Sequence, residues 1–274
     1  MDFYFKTSYK TALLIMGQLR LEDTGETPLD KYIYHTNFFK HDNLYLWQWK
    51  DELEKYSEIS SFKCNKLIVR DTAEPILSEY QKELIPKAYQ KTWDFYQNVN
   101  HQYIHKTLEE CQSVVPGVSK QFYQIGEMFK ESLDDNDIFI KTRYDLRYKM
   151  PFDLSKIQDL LITKKPVVCV PIGGDTPKGR GIGDLFYVMN RSAAKLMQDY
   201  LYKALDHAEK GGPMHQESFF RYFLINQHNV DLYRFNFNLT RYHYDNLKMH
   251  DYFPNFNTVS IFKDCNQHIF ECQD

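Results

Sequence analysis

The chain has 274 residues and a net charge of −3, and 43% of its residues are hydrophobic and 26% charged. This length and composition are those of a soluble globular protein with one large α/β domain or two small ones. The slightly negative balance gives no bulk attraction to a polyanion, so nucleic acid is not an expected partner.

The cysteines and the apolar runs indicate where such a chain resides. Five cysteines are scattered along it without a CxxC pair, which argues against a disulfide framework and a zinc site and favours a reducing compartment. The longest apolar runs are far shorter than a membrane span, and the first residues lack the apolar region of a signal peptide. We therefore expect a cytoplasmic protein with no transmembrane segment.

The first quarter of the chain predicts the start of a parallel sheet. Residues 11–16 form a continuous apolar run that ends at Gly17, as expected for a strand buried on both faces. Residues 31–36 predict a second strand, and residues 67–69 a further short one. Residues 44–49 fit a strand or the start of a helix equally well, and both alternatives stay open.

The next segment is predicted to be helical. Apolar and aromatic residues recur at steps of three and four over residues 78–111, and Pro86 indicates a kink or a new start. Ser119 is a candidate N-cap for the following helix. The buried stripe of that helix is predicted at Phe122, Ile125, Phe129 and Leu133.

Residues 138–140 are predicted to form a buried strand, after which the character of the sequence changes. Arg143, Asp145 and Arg147 alternate, so in extended chain they share one side. Open α/β sheets bind ligands beyond the carboxyl ends of their strands. A carboxylate between two guanidiniums there suits a metal ion and a diphosphate, or an ion-pair cluster that closes the sheet edge. Both interpretations are kept.

A glycine-rich stretch follows the next predicted strand, residues 165–171. Residues 173–183 contain five of the eleven glycines, which indicates unusual backbone angles or close approach to a ligand. The stretch is not a P-loop, because Arg180-Gly181 stands where that motif needs Lys-Ser/Thr. It is not a dinucleotide-binding fingerprint either, since no helix follows it directly.

The remaining elements complete a predicted α/β fold. Residues 185–189 predict a strand, after which Asn190 or Ser192 caps a helix that runs to about residue 207. Another helix is predicted to start near Gln216, with Glu217 in its first turn. The alternation of strands and helices predicts a Rossmann-like α/β fold, a mostly parallel mixed sheet flanked by helices. Without a clear linker, residues 1–274 are expected to form a single domain.

Four stretches carry a resemblance to a known family. They are residues 12–20 (ALLIMGQLR), 141–146 (KTRYDL), 183–190 (GDLFYVMN) and 215–221 (HQESFFR). In this order they resemble nucleotide-sugar glycosyltransferases of the GT-A type, and most closely the small enzymes of bacterial capsule and lipopolysaccharide clusters and of large DNA viruses. The resemblance spans residues 11–230, and the sequence departs from it at Arg143, where many relatives have the first Asp of an Asp-x-Asp motif.

The resemblance implies a nucleotide-binding half, residues 11–150, and an acceptor and catalytic half, residues 151–274. The first strand and its turn, with Gly17 and Arg20, would contact the nucleotide. Arg20, Arg143 and Arg147 are candidates for neutralising the diphosphate, and Asp145 for contacting it or a metal ion. The ion would be Mn²⁺ or Mg²⁺, and a late histidine such as His243 would be a further ligand.

The same resemblance assigns the catalytic chemistry. Glu217 would be the general base of an inverting enzyme, and Asp184 is the rival base or an acceptor-binding group. The expected reaction moves a sugar from a UDP-sugar, with UDP-xylose or a UDP-hexose as donor, to a hydroxyl of a glycan acceptor. The alternatives are a sugar-nucleotide or glycan-binding protein of the same fold without turnover, and, ranked last, a nucleotidyltransferase.

Overall fold

The fold is built on one large mixed sheet. The structure, a computed structural model, describes residues 8–17, 19–21, 25–99, 107–148, 152–171, 185–212, 214–235, 237, 239–242, 249–251 and 261–263. Within these ranges the large sheet has eight strands: β1 (Thr11–Met16), β2 (Asn43–Trp49), β3 (Lys66–Arg70), β4 (Ile138–Arg143), β6 (Val167–Pro171), β7 (Tyr187–Asn190), β8 (Asp231–Phe235) and β11 (Ile261–Lys263).

The strand order is β11-β8-β6-β7-β4-β1-β2-β3. Strands β3, β2, β1 and β4 run parallel, as do β6 and β8. Strand β7 is antiparallel to both its neighbours, and β11 is antiparallel to β8. The predicted α/β class with a mostly parallel mixed sheet is therefore confirmed.

A smaller antiparallel sheet and the helices surround the large sheet. The small sheet contains β5 (Leu146–Tyr148), β9 (Leu239–Tyr242) and β10 (Met249–Asp251). The helices are α1 (Pro28–Phe38), α2 (Lys50–Lys55), α3 (Glu79–Val99), α4 (Leu108–Ser132), α5 (Ser155–Leu161), α6 (Arg191–Leu196), α7 (Tyr200–Glu209) and α8 (Gln216–Arg221). None of the described helices combines the length and the apolar character needed to cross a membrane.

Strand β1 lies at the centre of the parallel part and is buried on both faces. Ala12, Leu14 and Met16 belong to the core on the side of α4 and α7, while Leu13 and Ile15 belong to the core on the side of α5. A strand covered by helices on both faces needs apolar residues at consecutive positions. This is why the apolar run of residues 11–16 identified the strand correctly.

The region after β1 differs from the sequence prediction. Residues 31–36, predicted as a strand, lie inside helix α1. The Thr27 hydroxyl accepts from the Asp30 backbone N–H, and the Asp30 carboxylate accepts from the Thr27 N–H, a capping box that starts the helix. The helix then buries Lys31 and His35, which lie one turn apart on one of its faces.

The helical segment predicted over residues 78–111 is confirmed for residues 79–99 and 108–111, and residues 100–106 lie outside the described residues. Helix α3 continues through Pro86, and α4 begins at Leu108 behind the N-cap Thr107. Ser119 is therefore an interior, buried residue of α4 rather than an N-cap. The predicted stripe is buried as expected, at Phe122, Ile125, Phe129 and Leu133.

The remaining predictions are confirmed in large part. Residues 44–49 lie in β2, so the strand alternative is right, and helix α2 begins only after them, at Lys50. Asn190 caps α6 by accepting from the Ala193 N–H. The predicted long helix is two helices, α6 and α7, because Asp199 takes a left-handed conformation between them, with φ of 55°.

Candidate functional site

The candidate site forms where β1 and β4 end side by side. The parallel register pairs Met16 with Arg143, so the turn after β1 lies against the end of β4. Gly17 has φ of +92°, a conformation that favours glycine, and the Arg143 side chain packs against it. The Tyr144 N–H donates to the Met16 carbonyl at 3.3 Å and holds the two ends together.

Arg143 and Asp145 form a bidentate ion pair at this edge. Nε of Arg143 donates to Oδ1 of Asp145 at 2.8 Å, and Nη2 donates to Oδ2 at 2.9 Å. The Asp145 side chain is fully buried. The pair therefore has the parallel two-bond geometry that gives arginine and carboxylate their strongest and most directional contact.

Arg20 reaches the same carboxylate from the turn after β1. Its Nε lies 3.5 Å from Oδ2 of Asp145, and its side chain is 11% exposed. Its backbone has φ of 49°, a left-handed conformation that a non-glycine residue adopts at a cost of order 1 kcal/mol or more. The local chain is thus held in an unfavourable conformation that directs a guanidinium toward Asp145.

An open cleft of about 370 Å³ lies over this cluster. Of the predicted nucleotide-binding residues, Gly17, Arg20 and Arg143 line it together. The other lining residues come from the end of β2, from α4 and from the start of α8: Trp49, Ser113, Gly117, Val118, Lys120, Gln121, Gln124 and Gln216. The charged side chains of this lining are three cations, and none of its described residues is a carboxylate.

Helix α4 contributes polar residues that sequence reasoning did not single out. The Lys120 ammonium lies 5.1 Å from the centre of the Trp49 ring, and Trp49 is the last residue of β2. Oriented with its oxygen toward donors, the Gln124 amide accepts from the Gly17 N–H at 3.0 Å. Residues 120, 121 and 124 lie beside an uninterrupted apolar stripe at 122, 125 and 129, so no local pattern singled them out.

Glu217, the predicted base, lies next to the cleft. The Gln216 amide donates to the side-chain oxygen of Gln121, which holds the start of α8 against α4 at the cleft wall. Glu217 follows Gln216 in the first turn of α8 and is half-buried. Its position is compatible with the predicted role, and that role stays a prediction.

Arg147 is close in sequence but lies toward α1. Its guanidinium pairs with Glu26 and lies 4.4 Å from the centre of the Tyr34 ring. Lys31, fully buried beside it, is 3.5 Å from the same Glu26 carboxylate. Burial, and then repulsion by Arg147, lower the pKa of Lys31. Of the three alternating residues, Arg143 and Asp145 therefore pair beside the cleft, whereas Arg147 pairs with Glu26 and contacts α1.

A buried histidine completes the layer beneath the site. The Nε2 atom of His35 lies 3.4 Å from the Tyr144 carbonyl, and Nδ1 lies 3.5 Å from the Tyr148 hydroxyl. Complete burial, and then the charge of Arg147, lower the pKa of His35 to about 3. The ring is therefore neutral at physiological pH, and from helix α1 it packs against the rings of Tyr144 and Tyr148.

Glu52 is a second group that sequence reasoning missed. It lies in α2, and burial raises the pKa of its carboxyl to about 7, while hydrogen bonds with the backbone at Leu19 and Trp49 act in the opposite direction. Leu19 precedes Arg20, and Trp49 lines the cleft. Glu52 therefore connects the turn that carries Arg20 to the end of β2.

The described residues do not fit a metal site at Asp145. Both oxygens of its carboxylate already accept hydrogen bonds from Arg143, and Mg²⁺ or Mn²⁺ needs several oxygen ligands. Nowhere in the described ranges do three or more His, Cys, Asp or Glu side chains come together as a metal-binding group.

Two predicted site residues, Asp184 and His243, lie outside the described residues, as does the glycine-rich stretch of residues 173–183.

A second, larger groove of about 900 Å³ lies at the other end of the parallel strands, by the amino end of β1. It is lined by the start of β1 at Thr11, by residues 36–42 and by residues 152–155 and 158. None of the described residues predicted for the site lines it. Its location at the amino end of β1 separates it from the cleft at the carboxyl end.

Comparison with known proteins gives structural neighbours but no sequence relatives. No protein-family model and no curated protein matches the sequence. The apo form of mouse xyloside xylosyltransferase 1 matches with a TM-score of 0.37 and 14% identity, over 81% of this chain and 83% of that chain. Core-mannan synthase A from Aspergillus fumigatus, in its Mn/GDP form, matches with a TM-score of 0.44 and 9% identity, over 85% and 74%. The chain is thus similar to glycosyltransferases at low identity and low TM-score.

Proposed function

We propose that the chain is a glycosyltransferase that takes its sugar from a nucleoside diphosphate sugar and transfers it to a hydroxyl of a glycan. The observation that carries this proposal is the cleft at the carboxyl ends of β1, β2 and β4. Its charged lining is Arg20, Lys120 and Arg143, in a chain whose net charge is −3. Such a local excess of positive charge suits an anionic ligand, and the edge is where open α/β sheets bind nucleotides.

The other residues of the cleft suit the uncharged parts of such a donor. Trp49 offers an aromatic surface, and the amides of Gln121, Gln124 and Gln216 offer both donors and acceptors of hydrogen bonds. A nucleoside diphosphate sugar combines a flat base, two phosphates and many hydroxyls. The chemistry of the lining therefore matches the whole donor, and UDP-xylose or a UDP-hexose remains the proposed choice.

In the proposed reaction Glu217 accepts the proton of the acceptor hydroxyl. The hydroxyl oxygen attacks the anomeric carbon, the bond from that carbon to the diphosphate breaks, and its electron pair goes to the departing phosphate oxygen. The cations of the cleft stabilise the charge that develops on the leaving group. Attack from the side opposite to the leaving group inverts the anomeric carbon.

The test is release of nucleoside diphosphate from a panel of UDP- and GDP-sugars, with and without oligosaccharide acceptors. We expect turnover of one donor, and we expect Glu217→Gln to lower the rate by about 10²- to 10⁴-fold because it removes a general base. Glu209→Gln, an exposed carboxylate at the end of α7, is the matched control. A donor that binds without any turnover would favour the binding-protein alternative, and no binding of any donor would contradict the proposal.

A further inference from the structure

Asp145, predicted as a metal ligand, is committed to another role in the structure. It is fully buried, and both its oxygens accept hydrogen bonds from Arg143 at 2.8 and 2.9 Å. Arg20 adds a third nitrogen at 3.5 Å. A divalent cation at this carboxylate would have to displace an arginine and would then lie beside two guanidiniums, which repel it.

The charges of the cluster leave an excess that faces the cleft. Asp145 balances one of the two guanidiniums of Arg20 and Arg143, and Lys120 on the cleft wall adds another positive charge. Summed over these four described side chains, the charge is two positive. A diphosphate group carries two or three negative charges at neutral pH, so the cleft and the leaving group are complementary without a further cation.

We propose, on the basis of the proposed function, that Arg20, Arg143 and Lys120 bind the donor diphosphate without a divalent cation on Asp145. Asp145 is then a positioning residue that fixes the orientation of the two arginines. Its bidentate contact holds the Arg143 guanidinium at the floor of the cleft. Its electrostatic attraction for Arg20 stabilises the left-handed backbone conformation of Arg20 in the turn after β1.

Isothermal titration calorimetry with inorganic pyrophosphate, UDP and GDP tests this, each in EDTA and in Mn²⁺. Pyrophosphate is included because it reports on the phosphate contacts without a base. We expect pyrophosphate to bind in EDTA, and we expect Lys120→Met to weaken that binding about tenfold, as loss of one charge-assisted contact would. The control is Arg191→Met, which removes one positive charge at the opposite end of β4 and should leave the affinity unchanged.

Asp145→Asn separates a positioning role from a metal-binding role. If Asp145 positions the arginines, the variant weakens pyrophosphate binding in EDTA, by about tenfold. If Asp145 binds a metal ion, the variant leaves binding in EDTA unchanged and loses only an increase caused by Mn²⁺. Arg143→Met alone would leave Asp145 buried without its partner, so the contribution of Arg143 is tested in the double variant Arg143→Met/Asp145→Asn, which removes both charges. Lys120→Met keeps the inference falsifiable if Asp145→Asn does not fold.

The outcomes also distinguish this inference from the proposed function. Binding of UDP or GDP only in the presence of Mn²⁺ would overturn metal-free binding and leave the glycosyltransferase proposal intact. Binding of none of the three ligands in either buffer would overturn both. Binding in EDTA that Lys120→Met and Asp145→Asn do not weaken would show that the diphosphate is held elsewhere, and would overturn the inference.

Discussion

Glu52 shows how a single buried carboxyl group affects the site. Burial raises its pKa from the ordinary 4.5 to about 7, and its carboxyl interacts with the backbone at Leu19, next to Arg20. In the folded protein the group therefore holds its proton up to nearly neutral pH. In the unfolded chain it loses the proton near pH 4.5, so its contribution to stability depends on pH.

The sign of this dependence follows from the raised pKa. The contribution of Glu52 is fully present below about pH 4.5 and is lost as the pH rises through about 7. Glu52→Gln, which keeps the shape and cannot ionise, should gain stability relative to wild type between pH 4 and pH 8, by roughly 1–3 kcal/mol. Urea unfolding of both proteins at pH 4, 6 and 8 measures the difference.

Glu54→Gln in the same helix is the control, because Glu54 is exposed.

The pH dependence of stability that comes from His35 has the opposite sign, since the pKa of His35 is lowered to about 3 and its contribution to stability is lost as the pH falls below about 6.5. The pH ranges in which Glu52 and His35 change the stability of the wild type overlap. The difference in unfolding free energy between Glu52→Gln and wild type removes the part due to His35. A Glu52→Gln difference that is the same at all three pH values would contradict the raised pKa.

At the residue scale, the site residues that could be predicted from sequence are those that belong to a local pattern. Gly17, Arg143 and Asp145 directly follow or end recognisable strands, and the structure brings them together. Lys120 and Glu52 were not predicted, because their relation to the site is made by packing of helices against distant strands. Arg147 was expected on the same side as Arg143, but the turn at residues 144–145 breaks the period-two alternation.

At the element scale, the packing of α4 against α7 depends on one glycine. A Cβ at Gly126 would lie 2.8 Å from the Tyr200 N and 3.3 Å from the Asp199 N, both backbone atoms that cannot rotate away. Gly126→Ala should therefore destabilise the protein by roughly 1–3 kcal/mol, although alanine favours helix more than glycine does. Thermal or urea unfolding measures the change.

The same helix supplies a matched control for this prediction. Gly117 also lies in α4, and a Cβ there would have nothing within 4 Å. Gly117→Ala should be stabilising by roughly 0.5–1 kcal/mol, because only the helix propensity changes. Equal effects of the two substitutions would show that the close approach of α7 does not limit residue 126.

The elements differed in how far sequence determined them. Strands β1, β4 and β6 were predicted because burial on both faces leaves continuous apolar runs. Helix α1 was mistaken for a strand because its alternating aromatic residues, Tyr32 and Tyr34, imitate period two, while the decisive capping box lies outside the run. Ser119 was mistaken for an N-cap because Gly117 before it suggested a helix start, whereas the helix begins behind Thr107.

At the scale of the whole molecule, the sheet order explains why sequence predicted the location of the site but not all of its residues. The motifs after β1 and β4 are far apart in sequence, and parallel pairing of these strands puts them side by side. The order of β6, β7, β8 and β11 was not predictable, since it depends on a parallel pairing of β6 with β8 and on antiparallel pairings of β6 with β7 and of β8 with β11. The division into a nucleotide-binding half and an acceptor half stays a prediction.

The most direct test of the account is hydrogen–deuterium exchange of the full chain with and without UDP and GDP. The central claim is that a nucleoside diphosphate binds in the cleft at the carboxyl ends of β1, β2 and β4. The account predicts slower exchange in residues 17–21, 113–124 and 214–221 with at least one nucleotide, because a ligand that binds only the folded state suppresses opening around its site. Protection confined to residues 36–42 and 152–158, the groove by the amino end of β1, or no protection with either nucleotide, would contradict it.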